Sequence, residues 1–162
     1  MVSNPKKILV YVDGTEESVI ASQYAICLAS FFGAELFALY VVNTRAIEEL
    51  LKAKIFLKDE QVEYEHDMES DAQKYLNHVD KLATKKGLTV STQSRKGNIH
   101  KEIIDAIKNH DIDLLVLGEL SRIKSRRDEL YDEREHAMRS VPCSVLIVKD
   151  EDKVWDMYDS LA

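Results

Sequence analysis

Two runs of four apolar residues, Leu114 to Leu117 and Val145 to Val148, limit what this chain can fold into. Both are too short and too continuous to be surface helices, whose apolar positions recur every three or four residues. They fit strands buried on both faces, the kind that fill a parallel sheet. Ile8 to Val12 and Leu36 to Val42 share that character. Parallel neighbours cannot be joined by a tight hairpin, so a right-handed crossover must separate them. Gly118 ends one strand where the chain must leave the sheet, and so marks the mouth of any ligand site.

The intervening segments supply the crossovers. Asp13-Gly14-Thr15 follows the first strand. Thr15 can cap the next helix, and Glu16 and Glu17 favour its positive end. Ala21, Tyr24, Ala25, Leu28 and Phe32 recur at helical spacing up to Gly33, a left-handed stop. The pattern from Asn43 to Glu65 is the least regular: Ile47, Leu50 and Leu51 suggest a short helix, and Ile55, Phe56 and Leu57 an apolar tip. Periodicity returns at Met68, with Ala72, Tyr75, Leu76, Val79, Leu82 and Ala83 on one face and Gly87 at the end. Leu88 to Arg95 alternates apolar and polar residues, as a half-exposed edge strand does. Gly97-Asn98 turns the chain, Asn98 caps the next helix, and Ile99, Ile103 and Ile107 line it. A last short helix is expected from Glu133 to Arg139. The order β-α-β-α-β-α-β-α-β describes an open α/β sheet of five parallel strands with helices on both faces.

Residues 1–150 are expected to form one domain, without internal repeat, low-complexity stretch or linker. Residues 151–162 form an acidic tail. In it Val154, Trp155, Met157, Tyr158 and Leu161 make one apolar helical face, packed either on this domain or on a second subunit.

A chain of 162 residues suits a single core. Its 22 Lys and Arg against 29 Asp and Glu leave a net charge of −7. That sign opposes binding to nucleic acid or to an anionic membrane. No apolar run reaches the length of a membrane span, and no signal-type segment follows Lys6-Lys7, so the expected location is cytoplasmic. Cys27 and Cys143 read as small apolar groups, not as a disulfide or metal pair. His66, His78, His100, His110 and His136 are scattered with no pair at ligand spacing, so no zinc or iron site is expected. No G-x-G-x-x-G, G-x-x-x-x-G-K-[ST] or G-x-S-x-G occurs. Ser121 and His136 lack an orienting acid and an oxyanion hole. No catalytic constellation is visible, and an enzyme is not expected.

Several segments coincide with one family. Lys7-Ile8-Leu9-Val10-Tyr11-Val12-Asp13-Gly14-Thr15-Glu16 resembles the first strand and turn of the universal stress proteins. So do Gly97 followed by Ile103, then Asp113-Leu114-Leu115-Val116-Leu117-Gly118, and the ending Val141-Pro142-Cys143-Ser144-Val145-Leu146-Ile147-Val148-Lys149. The resemblance implies an adenine nucleotide α-hydrolase-like sheet of order 3-2-1-4-5. Asp13 and Gly118 would then converge at the switch point between the first and fourth strands. It also implies a homodimer paired through the outermost strand, Val145 to Val148, whose open edge otherwise needs a cover.

The nucleotide-binding branch of that family holds ATP with a motif G-x2-G-x9-G-[ST]. An acid after the first strand and backbone late in the second strand hold the adenine. Carried over, the adenine-side positions fall on Asp13 and Val41, and the first glycine on Gly118. The second glycine falls on Ser121, the third on Tyr131 and the hydroxyl residue on Asp132. Glycine lets backbone N–H groups approach phosphate and accepts positive φ, which Tyr131 does poorly. Asp132 would set a carboxylate against a polyanion, at a cost on the order of several kcal/mol.

The expected function is therefore stress-associated regulation or protection, exerted by binding a protein partner yet to be identified. No cofactor is required, and ATP is not held by the usual motif. The alternative is an ATP- or AMP-binding switch, with Mg²⁺, in which Arg122, Lys124, Arg126 and Arg127 grip phosphate in place of backbone amides. Against it, those cations have Asp128, Glu129, Asp132, Glu133 and Glu135 as nearby partners. Asp13 has a local use as well, accepting hydrogen bonds from the turn at Gly14 to Glu16.

Overall fold

A computed structural model of the chain describes residues 4–53, 58–119 and 133–162. Five strands form one all-parallel sheet in the order β3-β2-β1-β4-β5: β1 (Lys7–Val12), β2 (Glu35–Asn43), β3 (Val90–Gly97), β4 (Leu114–Gly118) and β5 (Ser144–Val148). The helices are α1 (Glu16–Phe32), α2 (Thr44–Lys52), α3 (Lys58–Thr84), α4 (Ile99–His110), α5 (Glu133–Ser140) and α6 (Glu151–Ser160). The open α/β class and the strand order are those expected.

Alternate residues of each strand serve opposite faces of the sheet. Ile8, Val10, Val12, Ala38 and Val116 pack with Ile26, Leu76, Val154 and Tyr158, beneath α1, α3 and α6. Leu9, Leu39, Val41, Leu115 and Leu117 meet Ile103 and Ile107 of α4 and Ala137 of α5. Asp113 ties the first strand to the fourth. One of its carboxylate oxygens, Oδ2, accepts from the backbone N–H groups of Lys6 at 2.9 Å and Lys7 at 3.0 Å.

The local punctuation follows turn chemistry. Thr15 Oγ1 accepts from Ser18 N at 3.2 Å, and Asn98 Oδ1 from Lys101 N at 3.4 Å, so both caps form. Gly33 closes α1 in the left-handed conformation at φ 63°.

Four expectations need correction. β5 is not buried on both faces: Val145, Leu146 and Ile147 are half-buried and only Val148 is buried. The cause is position, since β5 has a strand neighbour on one side alone. α3 starts at Lys58 rather than Met68. Its first turns carry Asp59, Glu60, Gln61, Glu63 and Glu65 and leave Val62 and Tyr64 exposed, so helix-compatible residues run on with no apolar face to mark them. An ion pair between Glu69 and Lys96 joins this helix to β3. β3 pairs from Val90 to Gly97, not from Leu88, because the Leu88 N–H is spent on the Ala83 carbonyl that closes α3. The fourth correction concerns α6. It packs on the domain through Val154 and Tyr158, while Trp155 is 49% exposed. Val154 and Tyr158, four residues apart, share a face, and Trp155 is turned about 100° from Val154. The Tyr158 hydroxyl donates to the Leu82 carbonyl at 2.7 Å, and Lys86 lies 4.7 Å from the ring centre. Ile55, Phe56 and Leu57, the expected apolar tip, lie outside the described residues.

Candidate functional site

β1 and β4 run side by side with Val10 opposite Val116, and both end at the same edge of the sheet. Asp13 leaves β1 there and Gly118 closes β4, so both lie at the edge of the sheet where the strand order switches.

Asp13 builds the turn that launches α1. Its Oδ1 accepts from Thr15 N at 3.1 Å and from the Thr15 hydroxyl at 2.6 Å. Gly14 between them takes φ 82°, and a Cβ there would lie 2.6 Å from Cε2 of Tyr75. The Tyr75 ring thus covers the turn from the α3 side and stacks on Tyr40, with centroids 6.1 Å apart. Burial pushes the Tyr40 phenol above its ordinary range, and the charges of Asp71, Tyr75 and Asp13 push the same way.

Val41 is buried in β2 opposite Arg95 of β3. The β1–β2 pairing stops at Val12 and Tyr40, whereas the β2–β3 pairing continues to Asn43 and Gly97. On its β1 side the Val41 backbone has therefore run past the end of the ladder, which suits contact with a planar base. Arg95 pairs with Glu102 of α4 at 3.5 Å.

The phosphate side differs. Gly118 abuts the first turn of α1: an added Cβ would lie 2.5 Å from the Glu17 carbonyl oxygen. Glu16, Glu17, Glu119 and Glu151, with Lys149, line a cavity of about 110 Å³ at the ends of β4 and β5. A helix N-terminus is a natural phosphate cradle. Here its first turn carries two carboxylates and the Ser18 N–H is already taken by Thr15. The acidic residues at this edge of the sheet oppose an anion. Among the described residues no group of three His, Cys, Asp or Glu side chains is placed to hold a metal ion. Ser121, Arg122, Lys124, Arg126, Arg127, Tyr131 and Asp132 lie outside the described residues.

One juxtaposition escaped the sequence reading. His100 in the first turn of α4 and His136 of α5 are stacked, with ring centroids 3.9 Å apart and planes at 23°. The scattered histidines thus include one pair in contact. Thirty-six positions separate the two residues, and only the packing of α4 against α5 unites them. Cys27 is buried and Cys143 half-buried, both as free thiols, and burial pushes each above the usual thiol range. No described helix is long and apolar enough to cross a membrane.

These features define a class: an open, doubly wound α/β domain. Solved structures share the fold. The universal stress protein UspA from Lactobacillus plantarum superposes with a TM-score of 0.72 at 22% identity, over 91% of this chain and 100% of that one. The universal stress protein from Archaeoglobus fulgidus in complex with dAMP gives 0.62 at 14%, over 90% and 99%. Universal stress protein MJ0531 of Methanocaldococcus jannaschii is 28% identical over 160 residues, covering 91% of this chain and 84% of the relative. The pattern of the universal stress protein family matches residues 4–149, and the chain belongs to that family.

Proposed function

We propose that this universal stress protein is a non-catalytic regulatory or protective protein that acts by binding a protein partner, without holding ATP through the G-x2-G-x9-G-[ST] motif. The observation that supports this reading is the contact of Gly118 with the Glu17 backbone, beside a small cavity lined by Glu16, Glu17, Glu119 and Glu151 with Lys149. The one motif glycine that this chain keeps has a packing role of its own, and the charge around it opposes phosphate. Ser121 and Tyr131 replace the other two glycines, and Asp132 the hydroxyl residue. A homodimer paired through β5 and a cytoplasmic location belong to the same reading.

The second reading is an adenine-nucleotide switch. In its favour are the geometry of Asp13 and Val41 and the structural neighbour described with dAMP. Phosphate would then fall to Arg122, Arg126 and Arg127.

Calorimetric titration with ATP and Mg²⁺, preceded by native mass spectrometry of the purified protein, separates the two. The first reading expects no co-purified nucleotide and no binding. It also expects a gain of ATP affinity when Tyr131→Gly and Asp132→Ser are combined. Micromolar binding by the wild type, abolished by Arg126→Ala or Arg127→Ala, would establish the switch instead.

A further inference from the structure

α5 meets α4 through small and aliphatic residues. Ala137 of α5 is fully buried in the cluster that holds Ile103 and Ile107 of α4. A residue as small as alanine lets two helix axes approach closely. His100 stands one turn before Ile103 on the same side of α4, and His136 directly precedes Ala137. The close approach sets one imidazole against the other, with centroids 3.9 Å apart and planes at 23°. Neither ring is sealed in the core: His136 is exposed and His100 half-buried, so both are open to solvent.

We propose that His100 and His136 together bind a late first-row divalent metal ion, which bridges α4 and α5. Imidazole is the ligand shared by Zn²⁺, Ni²⁺ and Cu²⁺, whereas Mg²⁺ and Ca²⁺ take oxygen ligands. Two nitrogens held by one ion at about 2.0–2.1 Å each lie at most about 4.2 Å apart. The two ring centres already fall within that span. The histidine torsion about Cβ–Cγ is broad, so neighbouring ring edges can turn their lone pairs onto a shared ion. Among the described residues no third His, Cys, Asp or Glu completes the group, so water fills the remaining positions. A site of this composition ranks ions by ligand type, with Cu²⁺ held more tightly than Ni²⁺ or Zn²⁺. Only the assembled fold brings together two ligands that lie 36 positions apart, so the ion stabilises the folded state.

The test uses the untagged full chain and the metal alone. Calorimetric titration with Zn²⁺ in a non-coordinating buffer should show a saturable site, and Mg²⁺ should not bind. Nitrogen-resolved NMR of the histidine side chains should show the His100 and His136 rings perturbed together. His100→Ala and His136→Ala, neither at a fully buried position and each checked for an unchanged fold by circular dichroism, should each weaken Zn²⁺ binding at least about tenfold. His66→Ala, at an exposed position of α3, should leave it unchanged. Zn²⁺ should raise the thermal unfolding temperature of the wild type more than that of either pair variant. Absence of saturable binding overturns the proposal, as does binding that survives His136→Ala undiminished. So does perturbation of only one of the two rings, which would assign the ion to a different ligand set.

Discussion

Gly118 and Glu17 touch through their backbones: a methyl group on Gly118 would come within 2.5 Å of the Glu17 carbonyl oxygen and 2.6 Å of its carbonyl carbon. Backbone cannot swing aside as a flexible side chain does. The glycine is therefore what allows α1 to lie across the end of β4.

Gly118→Ala should accordingly destabilise the ligand-free protein by about 1–3 kcal/mol, the usual cost of overpacking. Urea unfolding measures it. A variant as stable as wild type would return this glycine to a purely ligand-binding role and weaken the functional reading built on it.

Tyr158 provides a pH signature. Burial raises its phenol above the ordinary range, and the charges of Cys27 and Asp159 add to the rise. In the unfolded chain the phenol ionises near about pH 10, while in the fold it stays neutral to a higher pH. Its contribution is thus fully present below that point and is lost as pH rises through the folded value. The Cys27 and Cys143 thiols, raised from their ordinary value of 9.0, act in the same sense. Tyr158→Phe should cost about 1 kcal/mol at neutral pH by losing its bond to the Leu82 carbonyl. It should also flatten the alkaline fall in thermal stability. Parallel alkaline limbs for the two proteins would show that this phenol is not the group responsible.

The β5 edge predicts the assembly state. β5 is the outermost strand, and Val145, Leu146 and Ile147 are only half-buried within one chain. Light scattering should return a dimer for the wild type. Ile147→Lys, which sets a charge on that edge, should return a folded monomer. A wild-type monomer at working concentration would remove the dimer from the functional reading.

Much of this was legible beforehand. Thr15, Gly33 and Asn98 do as caps what their chemistry dictates, since a cap depends on only a few neighbouring residues. The adjacency of β1 and β4 was legible in the strand order, and parallel neighbours carry their carboxyl ends to the same edge. The polar start of α3 was not legible, because a helix without an apolar face leaves no periodic mark. Nor was the exposure of Trp155, since an apolar residue beside a buried face looks the same in sequence as one within it.

The sequence by itself determined the strands, the crossovers and the family, because each rests on short-range patterns of burial and turn chemistry. Tertiary structure alone decided which residues meet: Gly118 against Glu17, Tyr75 over Gly14, His100 on His136, and Phe31 across from Met157. Those meetings depend on how helices lie on a twisted sheet. Packing angles and side-chain reach set them, and neither leaves a repeat in the chain.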